Sequence, residues 1–220
     1  MKKHKVHKDT KLAVLLLLPS ILLVVLLIGY PMIYNFIISF QKIPLNPRLS
    51  PKIVGLKNYS TVMTDMKFYN SLFLTIMYTF LSVAGSTIMG LGIAIFVNRE
   101  FKFKGTARSL IILPYIVPSI SLVFAWKYMF NNIYGIINYV LVDKLHLLKS
   151  APLWFDNPNS AFILVVVFSI WKFFPYAFLS FLAILQTLDS TLYEAAEIDG
   201  ANKWQQFLAI TIPCIKPVLM

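Results

Sequence analysis

Four long apolar runs dominate the chain: Leu12 to Phe40, Ser71 to Val97, Leu110 to Phe130 and Ala161 to Leu185. Each reaches or exceeds the roughly 20 helical residues needed to cross a bilayer core. A backbone in lipid must satisfy its own hydrogen bonds, so helices are the expected form. A membrane barrel would show alternating strands of about ten residues, and these runs do not alternate. The first run follows a basic segment, Met1 to Lys11, that has the look of a signal-peptide start. It is far longer than the usual apolar stretch of about 7–15 residues, and no small-x-small cleavage site closes it. The pattern therefore predicts an all-α polytopic membrane protein, a single domain over 1–220, with spans near 12–40, 71–97, 110–130 and 161–185.

Composition agrees with the pattern. Hydrophobic residues make up 58% of the 220 positions and charged ones 13%, against about 25% charged in a soluble domain. The net charge of +11 raises nucleic acid as a partner, but the basic residues gather at the ends of apolar runs, where they orient a membrane protein. No basic helix interleaved with aromatics appears, so no nucleic-acid partner is expected. The first eleven residues hold five Lys, and the connection 99–108 holds four basic residues in ten, while 41–70 holds five in thirty. The denser segments belong in the cytoplasm, which puts the N-terminus and everything after Leu185 there and 41–70 and 131–160 outside. One Cys, Cys214, and three scattered His leave no ligand set for a metal site and no intrachain disulfide.

Within the spans, three features carry chemistry. Ser82, Ser86, Gly90 and Ala94 recur every fourth residue, a small-residue face that lets a second helix approach closely. Pro114 and Pro118 each remove a helical hydrogen bond, so the third span should kink between them. In the fourth span Ser169, Lys172, Tyr176 and Ser180 fall within about 80° of one another at 100° per residue. A charge at that depth costs about 2.5–3.5 kcal/mol on insertion scales and must face protein or water. Two readings stand open: the stripe lines a path where Lys172 and Tyr176 bond a polar solute, or Lys172 pairs with a neighbouring helix or reaches the surface.

After the fourth span, 186–214 reads as two short helices. Thr191 and Glu194 have capping-box spacing, which starts a helix at about Leu192, and Gly200 is placed as its terminating glycine. Asn202 and Gln205 repeat the capping spacing, and Pro213 is expected to end the second helix. Helices of about eight residues are marginal alone in water, so these need a surface to dock on, either a partner's groove or their own membrane domain.

Glu194-Ala195-Ala196, three residues, Gly200, nine residues, then Ile210-x-x-Pro213 resembles the EAA loop of binding-protein-dependent ABC importer permeases, EAA-x3-G-x9-I-x-L-P. Ile212 stands where Leu is usual. Gly55-Leu56-Lys57-Asn58-Tyr59, Leu113-Pro114-Tyr115-Ile116-Val117-Pro118, Trp126-Lys127 and Gly135-Ile136-Ile137-Asn138 follow in the order seen in carbohydrate-type permeases of the maltose, multiple-sugar and glycerol-phosphate group. The resemblance implies a type I ABC importer permease-like bundle in a prokaryotic cell membrane, with six spans in the complete chain and so a further pair beyond Met220. It implies a second permease subunit, ATP-binding subunits, an extracellular solute-binding protein and a carbohydrate substrate as partners, with lipid around the spans. It assigns Glu194, Ala195, Ala196, Asp199, Gly200, Ile210 and Pro213 to coupling with the ATPase, and no catalytic residue, cofactor or metal to this chain. ATP would bind elsewhere, since no G-x4-G-K-[ST] occurs; Gly85 and Gly90 have the first spacing, but Leu91 replaces the Lys.

Two other classes compete. An ion-driven secondary transporter would use Lys172 as a relay but needs acidic or His residues in the spans, which hold none. A membrane-embedded enzyme lacks any carboxylate pair, Ser-His set or metal cluster there.

Overall fold

The computed structural model describes residues 3–219; Met1 and Lys2, at the start of the basic segment, and Met220 lie outside it. The chain divides into two compact units, Met1–Phe73 and Leu74–Met220.

In the first unit, α1 (Lys3–Val24) passes through a π turn, Val25–Gly29, into α2 (Tyr30–Ile38). The π turn precedes Pro31. Tyr30 donates its N–H to Val25 O, and the widened turn makes room beside Leu27, whose carbonyl the missing proline N–H would have served. Thr10–Ile38 is a 29-residue candidate span with none of its most apolar window buried, as a lipid-facing helix requires. A two-residue antiparallel pairing follows, β1 (Gln41–Lys42) with β2 (Lys52–Ile53), and then α3 (Lys57–Thr64). Here the Gly-Leu-Lys-Asn-Tyr stretch has a physical role. Gly55 takes φ +59°, a conformation costly for any residue with a Cβ. Asn58 Nδ2 donates to Ser39 O (2.8 Å) and Gln41 O (3.0 Å), and the Tyr59 hydroxyl bonds Ser39 Oγ at 2.7 Å. The stretch ties α3 to the end of the first span.

The second unit is built on two long helices, α4 (Met66–Asn98, which starts in the first unit) and α8 (Pro158–Leu185). Both are long and apolar enough to cross a membrane. The small-residue face of α4 is its buried face: Ser82, Ser86, Gly90 and Ala94 are all covered. A Cβ on Gly90 would lie 2.7 Å from Ala177 Cβ, 2.8 Å from Phe178 N and 2.9 Å from Phe174 O, so only glycine permits this approach to α8.

The expected third span, 110–130, is not one kinked helix. It is two helices, α5 (Lys104–Ile116) and α6 (Ser119–Met129), meeting at 92°. Pro114 lies inside α5 without ending it. The chain leaves the helix at Val117 (ψ 136°) and Pro118 (ψ 130°), because a proline disfavours the helical conformation in the residue before it.

A short α7 (Ile136–Asn138) and a π turn, Tyr139–Lys144, follow. Asn138 is buried and bonded at both ends of its amide: Nδ2 donates to Asn131 O and Asn132 O, and Oδ1 accepts from Trp154 Nε1 at 2.7 Å. After α8 come α9 (Ser190–Ile198), α10 (Lys203–Gln206), a π turn (Phe207–Thr211) and α11 (Ile212–Leu219). Ala94, Val97, Phe178, Phe181, Leu182, Leu185 and Ile215 form one core cluster, which seats α11 on the lower ends of α4 and α8.

Candidate functional site: the coupling segment and the polar stripe

The segment after α8 is set by its caps. Asp189, not Thr191, is the N-cap of α9: its Oδ1 accepts from Thr191 N at 2.9 Å and the helix starts at Ser190. The expected start at Leu192 is thus corrected by half a turn. A carboxylate outcompetes a hydroxyl at the positive end of a helix, and the bond from Thr191 holds the Asp189 carboxyl below its ordinary value. At the other end Gly200 takes φ +79°. Ala201 N donates to Ala196 O (2.9 Å) and Gly200 N to Glu197 O (3.1 Å), the paired bonds of a Schellman motif. Asn202 and Gln205 then form the expected capping box, each side chain bonding the other's backbone. Lys203 pairs with Glu197 across the turn and holds its carboxyl low through that hydrogen bond.

Pro213 does not end the second helix. The helical path runs on through it into α11, because the π turn Phe207–Thr211 lets Ile212 N–H reach Phe207 O. The Ala209 carbonyl, which a residue at 213 would ordinarily serve, lies inside that widened turn. A second hydroxyl bond, Tyr193 to Thr211 at 3.0 Å, links α9 to the turn.

The coupling residues named from the sequence are close along this hairpin but differ in exposure. Glu194, Ala195, Asp199, Gly200 and Pro213 are exposed, while Ala196 and Ile210 are half-buried. Apolar side chains stand out from the same segment: Ile198 is 88% and Trp204 65% exposed. So α11 packs on the membrane helices through Ile215, whereas α9 and α10 present apolar surface to whatever lies beyond.

The polar stripe on α8 splits in two. Ser169 is buried, with its hydroxyl 2.8 Å from that of Tyr78 on α4. Lys172 is 4% exposed, and Nζ donates to Pro114 O (2.8 Å), Tyr115 O (3.0 Å) and Val117 O (2.5 Å). All three of its N–H groups are taken, which favours the second of the two open readings: Lys172 pairs with the neighbouring broken helix. The sequence signal existed in Pro114 and Pro118, but it pointed to a kink and not to the carbonyls a break sets free. Ser180 turns back to Tyr176 O at 3.0 Å. Tyr176 is the member of the stripe left in the open, 62% exposed, with its ring 6.1 Å from that of Tyr115. Among the described residues no group of three His, Cys, Asp or Glu could hold a metal ion.

Comparison with known proteins fits this arrangement. The family described as "binding-protein-dependent transport system inner membrane component" matches residues 86–220, from the small-residue face of α4 to the end of the chain. The chain belongs to this family. It is 60% identical over 213 residues to the inner membrane ABC transporter permease protein YcjO of Escherichia coli, covering 97% of this chain and 73% of that protein. It is 36% identical over 219 residues to the trehalose/maltose transport system permease protein MalF of Thermococcus litoralis, covering 97% and 71%. A bacterial alginate ABC transporter, solved in complex with an alginate pentasaccharide-bound periplasmic protein, contains a chain with TM-score 0.80 and 21% identity; the match covers 99% of this chain and 72% of that one. That likeness is one of fold. The expected architecture, an all-α type I importer permease bundle, therefore stands, and the permease is a multi-pass inner-membrane component.

Proposed function

We propose that this permease is one membrane subunit of an ATP-driven importer for a sugar or related polyol, that it lines part of the path, and that it takes its drive through α9. The observation that carries the reading is the capped, exposed α9–α10 hairpin bearing Glu194-Ala195-Ala196 and a left-handed Gly200, seated on the membrane helices by α11. A helix fixed at one end and apolar on its open side transmits a push from a docked partner to the helices beneath it. That partner would be a separate ATP-binding subunit; these 220 residues carry no G-x4-G-K-[ST] phosphate-binding loop. A second permease and an extracellular solute-binding protein complete the proposed assembly. The basic density of the N-terminus and of 99–108 supports a cytoplasmic N-terminus, on the same side as the proposed coupling segment.

The sugar assignment rests on relatives with carbohydrate substrates in their names. Of the stripe, Tyr176 and Ser180 remain proposed path residues, with Tyr176 offering an open ring beside Tyr115. The secondary-transporter reading loses its relay, because Lys172 is occupied by backbone carbonyls.

The test is a pair of substitutions in the assembled transporter. Glu194→Lys and Gly200→Pro should abolish uptake and substrate-stimulated ATP hydrolysis while membrane insertion stays normal. Normal uptake in both variants would remove the coupling role.

A further inference from the structure

Pro118 explains why α5 stops at Ile116, but not what holds α6 at a right angle to it. Pro114 sits inside α5 and leaves it helical. Pro118 is the residue before α6, in an extended conformation that other residues adopt readily. The break creates a larger problem than the loss of two N–H groups. In a continuous helix, Pro114 O would accept from residue 118, which is a proline and has no N–H to give. Tyr115 O would accept from Ser119, which has turned away into α6. These carbonyls belong to a segment apolar enough to lie in a membrane, where unsatisfied backbone groups have no water to turn to.

Lys172 answers all of them together. Its Nζ reaches Pro114 O, Tyr115 O and Val117 O at 2.8, 3.0 and 2.5 Å. The first two lie at the C-terminal end of α5, the negative end of its dipole, and the third is in the turn itself. Lys172 needs them equally. Both salt bridges among the described residues involve other lysines, Lys104 and Lys203, so at 4% exposure the carbonyls stand where a counter-ion would. The lysine is also anchored on a rigid base, since α8 is pressed against α4 at Gly90 without room for a Cβ.

We propose that Lys172 is a positioning residue whose ammonium, rather than the two prolines, holds the broken segment Lys104–Met129 in its bent form and thereby keeps Tyr115 against Tyr176. This rests on the reading of the chain as a membrane permease only for its setting. The bend is measured without transport, so failure of the transport reading and failure of this one are distinguishable.

The experiment measures the bend by double electron–electron resonance in the assembled full-length transporter in lipid nanodiscs, with the partner subunits free of cysteine. Cys214→Ser removes the one thiol of these 220 residues, and any cysteine elsewhere in the full-length subunit is replaced by serine as well. Spin labels go on Gly105→Cys, where an added Cβ meets nothing within 4 Å, and on Met129→Cys, which is exposed. At 1.5 Å per residue the two backbone positions lie about 24 Å apart when bent at a right angle and about 36 Å apart when straight. The parent protein should give the short distance. Lys172→Met, similar in volume and without a donor, should move the population toward the long distance or spread it between the two. Pro118→Ala with Lys172 in place should keep the short distance. An unchanged short distance in Lys172→Met would overturn the proposal, and so would straightening in Pro118→Ala. Should Lys172→Met fail to reach the membrane, Pro118→Ala decides: retention of the bend supports the lysine, and its loss gives the bend to the proline.

Discussion

Replacing Gly90 by alanine sets two effects of opposite sign against each other. In a helix interior alanine is favoured over glycine by about 0.8–1 kcal/mol, so propensity predicts a more stable protein. Packing predicts the reverse. The new Cβ would sit 2.7 Å from Ala177 Cβ, 2.8 Å from Phe178 N and 2.9 Å from Phe174 O, against a comfortable carbon–carbon separation of about 3.5–4.0 Å. Two of those three atoms are α8 backbone and cannot rotate aside, so α4 and α8 must separate. Overpacking of this kind costs about 1–3 kcal/mol, and with backbone on the far side the upper half applies. The net expectation is a loss of about 1–2 kcal/mol. Gly92 supplies the control from the same helix: an added Cβ meets nothing within 4 Å, so Gly92→Ala should be neutral or stabilising by up to about 1 kcal/mol. The two variants should therefore differ by about 2 kcal/mol, about thirtyfold in the unfolding equilibrium. Titrating purified protein in mixed micelles with SDS, followed by tryptophan fluorescence, reads this as a lowered midpoint for Gly90→Ala and an unchanged or raised one for Gly92→Ala. Equal shifts, or a Gly90→Ala midpoint at or above the parent's, would refute the claim that glycine is there for contact.

Two smaller perturbations test other parts of the structure. Trp154→Phe keeps an aromatic ring against Phe130 but removes the donor to buried Asn138 Oδ1, and should cost about 1–3 kcal/mol of thermal stability; an unchanged melting temperature would mean that water or another donor serves the amide. Asp189 and Glu197 have carboxyls held below their ordinary values, 3.8 and 4.5, by Thr191 and Lys203 respectively. Because the folded values are the depressed ones, their contributions, Asp189 to the α9 N-cap and Glu197 to its pair with Lys203, are complete above the ordinary values and are lost as pH falls through the folded ones. The amide resonance of Thr191 should then hold its position from neutral pH down to about pH 5 and shift only in stronger acid; a midpoint at or above the ordinary carboxylate range would contradict the cap geometry.

What could be read without a structure was whatever depends on neighbours along the chain. A run of apolar residues long enough to cross a bilayer is a property of the run itself, and α4 and α8 appear where the pattern put them. The four-residue recurrence of Ser82, Ser86, Gly90 and Ala94 marks one helix face by geometry alone, and that face is the buried one. Gly200 and the Asn202–Gln205 box are equally local, since the groups they satisfy lie within a few residues. Even here competition between neighbours misled: Asp189 took the cap that Thr191 also fitted, and a π turn carried the helix past Pro213.

Tertiary structure decided everything that depends on a partner far along the chain. Lys172 announced an unmet charge, but its partners are backbone carbonyls 55 to 58 positions away, and a carbonyl has no residue type by which a sequence can advertise it. The 92° angle between α5 and α6 brings those carbonyls to Lys172, and the prolines' spacing by itself predicted only a kink. The division of the last segment, with Ile215 in the core and Ile198 in the open, required knowing where α4 and α8 end in space. Local pattern fixed which segments are helical because helix bonds are local. Which side chains meet, and which are left free to act, was settled by packing across long sequence separations.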